Sequence, residues 1–243
     1  MSVCEQALVS LSNSAWFCSL ARELQRTIAQ HGRAKMFAAG EVLFAQGDAP
    51  AGIHAILSGQ AQVVGLTAEG VEVLMAVLRP GEWTGFLACL DGGPYAFTVA
   101  ASEPMEVFSL SLSHVQRLFL GDVEGFRALA TPELTVSRKI YADLVELVTL
   151  SPLQRLARRL QQLASAAYGT TRTSDMIDVS QDQIATSIMA SRQWTNHLLG
   201  QLDQAGIISI SRERIHIRDW SRLTSLVHDT AAERICANGP PSD

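Results

Sequence analysis

The stretch Asp178-Val-Ser-Gln-Asp-Gln-Ile-Ala-Thr-Ser-Ile-Met-Ala-Ser-Arg-Gln-Trp-Thr-Asn-His-Leu-Leu-Gly-Gln-Leu202 decides how this 243-residue chain is read. Ser180 followed three residues later by Gln183 is a capping box, the signature of a helix start. Ile184, Ala185 and Ile188 then form one inward face. A turn at Met189-Ala190 leads to Ser191, a second cap, and to a helix whose apolar side is Trp194, Leu198, Leu199 and Leu202. Two short helices about a tight turn make a helix-turn-helix. Arg192, Gln193, Asn196 and His197 project from the first two turns of the second helix, the part that enters the major groove in this motif. Their chemistry suits base edges, since Arg can bond guanine O6 and N7 together and Gln or Asn can bond adenine N6 and N7. Ser180, Gln181 and Ser191 at the two helix starts complete the candidate DNA-contacting set. Downstream, Gly206-Ile-Ile-Ser-Ile210 and Ile215-His-Ile217 flank Ser-Arg-Glu-Arg and read as a hairpin, the wing.

Moving towards the N-terminus, Ser151-Pro152 breaks one helix and starts the next, which is expected to run from Leu153 to about Ala167. The domain boundary is placed there. Residues 113–150 have a helical apolar period. Val136, Ile140, Leu147 and Leu150 fall as on a seam, Asp143 fills its missing position, and Leu144 and Val148 widen it. So broad a stripe needs a partner: the chain's own barrel is one, and a helix from a second copy is the expected one. From Arg33 to Leu110 the chain reads as short strands between glycines: Glu41–Phe44, Gly52–Leu57, Ala61–Leu66, Glu72–Leu78, Phe97–Ala101 and Met105–Leu110. That spacing predicts a jelly-roll barrel. The expected order is a helical segment 1–32, a sensor barrel 33–112, helices 113–150 including a dimerisation helix, a winged helix-turn-helix 151–225 and a flexible tail 226–243. The fold class is α+β.

Composition is that of an ordinary globular protein, with 47% hydrophobic and 18% charged residues. The first twenty residues lack a basic start, and no apolar run is long enough to span a bilayer, so a cytoplasmic protein without membrane partners is expected. The net charge of −5 is unevenly divided. Residues 1–150 hold 9 basic and 15 acidic side chains, whereas residues 151–220 hold 8 and 6. Phosphate attraction is local at cellular salt, so an acidic neighbour does not forbid DNA binding. Cys4, Cys18, Cys89 and Cys236 lie far apart, which supports neither a disulfide framework nor a zinc site.

The chain resembles the cyclic-AMP receptor/fumarate–nitrate (Crp/Fnr) regulators of bacteria over about Arg33 to Leu223. The carriers are Phe37-Ala-Ala-Gly-Glu-Val-Leu-Phe-Ala-Gln-Gly-Asp48, Leu57-Ser-Gly-Gln-Ala61 and Arg79-Pro-Gly-Glu-Trp-Thr-Gly-Phe86 in the barrel. In the C-terminal part they are Ser180-Gln-Asp-Gln-Ile-Ala185, Ser191-Arg-Gln193 and Leu202-Asp-Gln-Ala-Gly-Ile-Ile208. The resemblance implies a homodimer joined along the long helix, a palindromic double-stranded DNA site with one recognition helix per half-site, and RNA polymerase as a partner. It places Arg192 on guanine. Gln193 stands where well-known members carry a glutamate that accepts from cytosine, His197 replaces an arginine, and Met189 holds a turn position that is usually glycine.

The barrel departs further. Members that bind cyclic AMP hold the ribose with a Gly-Glu pair and the phosphate with an Arg-Ser pair, and the long helix adds a Thr-Ser pair. The corresponding residues here are Gly85 and Phe86, Tyr95 and Ala96, and Ile140 and Tyr141, the candidate effector pocket. No Lys or Arg lies between Gly81 and Ser113, and a phosphate buried without a cation is costly. Cyclic AMP in the family's usual manner is therefore not expected. No cofactor is expected either, and an apolar small-molecule effector or none at all remain as options. Cys4 and Cys18 are too sparse for an iron–sulfur cluster. His54 and His114 read as ordinary surface or hydrogen-bonded histidines rather than haem ligands. No catalytic or metal-binding residues are assigned. Two other classes stay open: a cupin-like barrel enzyme, which would need clustered His and Glu ligands, and a ligand- or partner-binding module that lacks specific DNA binding.

Overall fold

A computed structural model describes residues 8–9, 11–165, 174–188, 190–211 and 214–228. The turn residue Met189 and the expected tail beyond residue 228 lie outside the described residues. The chain divides into two compact units, one reaching to Val71 and including Met75–Arg138, the other comprising Glu72–Leu74 and the chain from Lys139 onward.

Helices α1 (Ala15–Ser19) and α2 (Arg22–His31) precede eight strands among the described residues. These are β1 (Arg33–Phe37), β2 (Val42–Phe44), β3 (Gly52–Ser58), β4 (Ala61–Leu66), β5 (Glu72–Leu78), β6 (Trp83–Thr84), β7 (Thr98–Ala101) and β8 (Met105–Ser111), with helix α3 (Phe86–Asp91) between β6 and β7. They form two four-stranded sheets, ordered β1-β8-β3-β6 and β2-β7-β4-β5. β3 is buried over five consecutive residues, as a strand covered on both faces must be. The sequence reading misses β1 and β6 for physical reasons. β1 is Arg-Ala-Lys-Met-Phe with four exposed residues at a sheet edge, and β6 is two residues long.

The helices that follow are α4 (Leu112–Phe119) and α5 (Val123–Thr149), separated where Asp122 accepts from the Gly125 N–H at 2.7 Å as a side-chain cap. The barrel's apolar core gathers Phe17 of α1, Ile53 and Ala55 of β3, Trp83, Phe108 and Leu129 of α5.

The C-terminal unit continues with α6 (Pro152–Leu163), β9 (Met176–Asp178), α7 (Gln181–Ser187), α8 (Arg192–Gln204), β10 (Ile208–Ser211), β11 (Arg214–Ile217) and α9 (Trp220–His228). Ser151 caps α6 through a full capping box with Gln154, and Pro152 sits at its first turn, where a missing N–H costs nothing. The hairpin β10–β11 is present, and β9 joins it as a third strand through Ile177 opposite Ile215. No helix of the described residues is long and apolar enough to cross a membrane.

Candidate nucleic-acid interface

Helix α7 starts where the capping box predicts. The Ser180 hydroxyl accepts from Gln183 N at 3.2 Å, and Gln183 Oε1 accepts from Ser180 N at 3.0 Å. Ile184, Ala185 and Ile188 are buried. Helix α8 is capped by Ser191, whose Oγ accepts from Trp194 N at 3.2 Å. Each cap hydroxyl also carries an O–H donor of its own. Gln181, the first residue of α7, is half-buried.

The inward face of α8 is Thr195, Leu198, Leu199 and Leu202, all buried. Their i, i+3, i+4, i+7 spacing is a single helical stripe. Trp194 is thus not part of the inner face as the sequence reading has it. It lies half-buried at the stripe's edge and stacks on His197, with ring centroids 5.1 Å apart and planes 21° from parallel. Arg192, Gln193, Asn196 and His197 are all exposed. One face of a capped helix is therefore fixed in the core while the other carries a contiguous set of hydrogen-bonding side chains.

Two acidic residues engage this basic surface. Arg192 Nε lies 3.0 Å from Asp182 Oδ1, with both side chains mostly exposed, and Arg214 on β11 pairs with Asp178. His197 Nε2 accepts from Gln201 Nε2 at 3.2 Å. On the wing, Arg214 and Arg218 face solvent on either side of buried Ile215 and Ile217. The alternation along Arg214-Ile-His-Ile-Arg218 carries that information, yet neither arginine is among the residues singled out from the sequence.

In the barrel, the expected effector-pocket residues have other work. Gly85 adopts φ +92° at the start of α3, and a Cβ there would stand 2.6 Å from Gly52 O. Phe86 is buried, edge-on to Trp16 at 4.9 Å. Tyr95 is buried and stacked on Phe44 at 3.8 Å. Its hydroxyl accepts from Ala51 N at 3.0 Å and Gly52 N at 3.2 Å, and lies 3.0 Å from Gly52 O and 3.3 Å from His54 Nε2. This ring and its hydroxyl tie β3 to the loop before β7. Ala96 is exposed, and Ile140 and Tyr141 are exposed residues of the other unit. His54 is buried, with Nδ1 2.8 Å from Ser109 Oγ, and burial pushes its pKa down to about 4. Burial also pushes the Cys89 thiol up to about 12. Among the described residues no three His, Cys, Asp or Glu side chains gather as a metal site.

The six seam residues on α5 differ in exposure within the single chain. Ile140 and Leu144 face solvent, but Val136, Asp143, Leu147 and Leu150 are half-buried within the chain itself. Asp143 is engaged by Lys139 Nζ at 3.1 Å and by Gln162 Nε2 at 2.9 Å. Beyond Pro132, the large exposed apolar residues of the helix are Leu134, Ile140, Tyr141, Leu144, Val145 and Val148, which include three of the stripe read from the sequence. The period alone does not say which side of a broad stripe the chain itself covers.

Comparison with known proteins places these elements. The family model of the cyclic nucleotide-binding domain matches residues 34–122, and that of the Crp-like helix-turn-helix domain matches residues 154–226. A CRP-like cAMP-activated global transcriptional regulator of Mycobacterium tuberculosis is 24% identical over 190 residues, covering 77% of this chain and 84% of the relative. The transcriptional regulator LdrP of Thermus thermophilus is 25% identical over 190 residues, covering 78% and 94%. The structure of FixK2 from Bradyrhizobium japonicum shares the fold, with TM-score 0.66 at 18% identity over 80% of this chain and 96% of that one. With a barrel of one model and a helix-turn-helix of the other in this order, the chain belongs to the Crp/Fnr family of DNA-binding transcription regulators.

Proposed function

We propose that the protein is a cytoplasmic, non-enzymatic regulator that binds a palindromic duplex as a homodimer, one α8 per half-site, and works with RNA polymerase. The observation that carries this reading is the solvent face of α8, where Arg192, Gln193, Asn196 and His197 stand together on a helix whose opposite face is buried. The Leu134–Val148 stripe supports the homodimer, since an exposed apolar face of this length on one helix is what a second copy would cover. Gln193 suits adenine where a glutamate would suit cytosine. The barrel takes no cyclic AMP through the family's usual contacts, because Phe86 and Tyr95 are core residues and supply no charge to a phosphate. An apolar small molecule, or no effector, fits that barrel better.

The test is selection from a randomised palindromic duplex pool, read by fluorescence anisotropy at fixed salt without nucleotide. A two-fold site with half-sites about one helical turn apart is the expected result. Weak, unselective binding both without and with cyclic AMP would overturn the reading.

A further inference from the structure

Helix α5 contains Pro132, yet it runs unbroken from Val123 to Thr149. Proline has no N–H, so the carbonyl four residues before it loses its partner in the helix ladder. That carbonyl belongs to Ala128, and it accepts from the indole Nε1–H of Trp16 at 2.8 Å, a donor from 112 residues earlier in the chain. The same indole ring meets Phe86 at 4.9 Å and Trp83 at 5.0 Å, both edge-on. Phe86 is the first residue of α3. A single side chain thus touches α3 with its ring and the broken rung of α5 with its N–H. Before the proline, Leu129 is wholly buried and anchors the helix. Beyond it, Leu134, Ile140, Tyr141, Leu144, Val145 and Val148 are exposed.

We propose that Trp16 is a positioning residue that latches α5 straight at Pro132 and couples α3 to that helix. Movement of Phe86 withdraws the indole, leaves the Ala128 carbonyl without its donor and lets the helix bend where proline already weakens it. The DNA-binding part of the test rests on the regulator reading above.

The experiment is a double-mutant cycle in the full-length chain with Trp16→Phe and Pro132→Ala. Phenylalanine keeps a ring against Phe86 and Trp83 but has no N–H. Alanine at position 132 supplies a backbone N–H to Ala128 and makes the latch redundant. Amide hydrogen exchange over residues 129–138 and affinity for the selected duplex are both measured. Trp16→Phe alone is expected to speed exchange there by about five- to thirtyfold and to change duplex affinity in the same range, as losing one hydrogen bond to a partly buried carbonyl implies. In the Pro132→Ala background it should do neither. Unchanged exchange in Trp16→Phe, or an effect that persists beside Pro132→Ala, overturns the latch. Altered exchange with unaltered duplex affinity overturns the coupling. A wild-type chain that selects no duplex overturns the regulator reading instead, while exchange still decides the latch.

Discussion

Arg192 stands in an exposed ion pair that leaves part of its guanidinium to act elsewhere. Its Nε faces Asp182 at 3.0 Å, and the N–H groups of its terminal nitrogens are the donors that would bond guanine O6 and N7. Arg192→Ala should therefore weaken specific binding by roughly 1–3 kcal/mol and relax selectivity at one base pair per half-site. Asp182→Asn should act oppositely, raising affinity about two- to fivefold, because it removes a negative charge beside the DNA-facing helix and the exposed pair it breaks is worth little. Competition anisotropy with matched and single-mismatch duplexes separates the two effects. A different titration concerns His54. Burial lowers its pKa from 6.5 to about 4, so the unfolded chain binds a proton that the folded chain refuses. Stability should then fall as pH drops from 6.5 towards 4, by about 2 kcal/mol between pH 7.5 and 5. Urea unfolding at those two pH values checks it, and His54→Gln should flatten the difference.

Among the elements, the exposed stripe of α5 makes its own prediction. Val148→Glu together with Leu144→Glu places charges on its outward face, 78% and 57% exposed in the wild-type chain, without entering the chain's core. Sedimentation velocity should show self-association weakened at least about tenfold, while thermal unfolding of the monomer stays close to wild type. The helix-turn-helix was legible because its signals are local: caps at Ser180 and Ser191, and stripes of period 3.6. The wing was legible from alternation, and the barrel from its glycine spacing. What the sequence could not disclose depends on distant partners. Tyr95 reads as a pocket-lining aromatic until Phe44, Ala51 and Gly52 are seen around it. The bond from Gln162 to Asp143, nineteen residues earlier, is likewise a contact that no helical period announces. Trp194 and Thr195 are adjacent, and a helical period alone does not decide which of two neighbours at a stripe's edge turns inward.

For the whole molecule the relevant quantity is charge. The chain carries a net −5, yet its exposed wing arginines, Arg214 and Arg218, lie in the more basic C-terminal stretch. Binding to any duplex should fall steeply with salt, and Arg218→Ala should lower the log–log slope by about 1 without changing base preference. Titration of one selected duplex at several salt concentrations reads that slope. The hydrogen bond from Trp16 to Ala128 has a further consequence, for where the protein begins. Residues 1–32 look like an appendage ahead of the barrel, open to trimming for expression or to bypass by a later start codon. Either change that removed Trp16 would leave a carbonyl without its donor in a helix more than a hundred residues away. The shortened product would keep every strand of the barrel and the whole helix-turn-helix, and it would still be a mechanically different regulator.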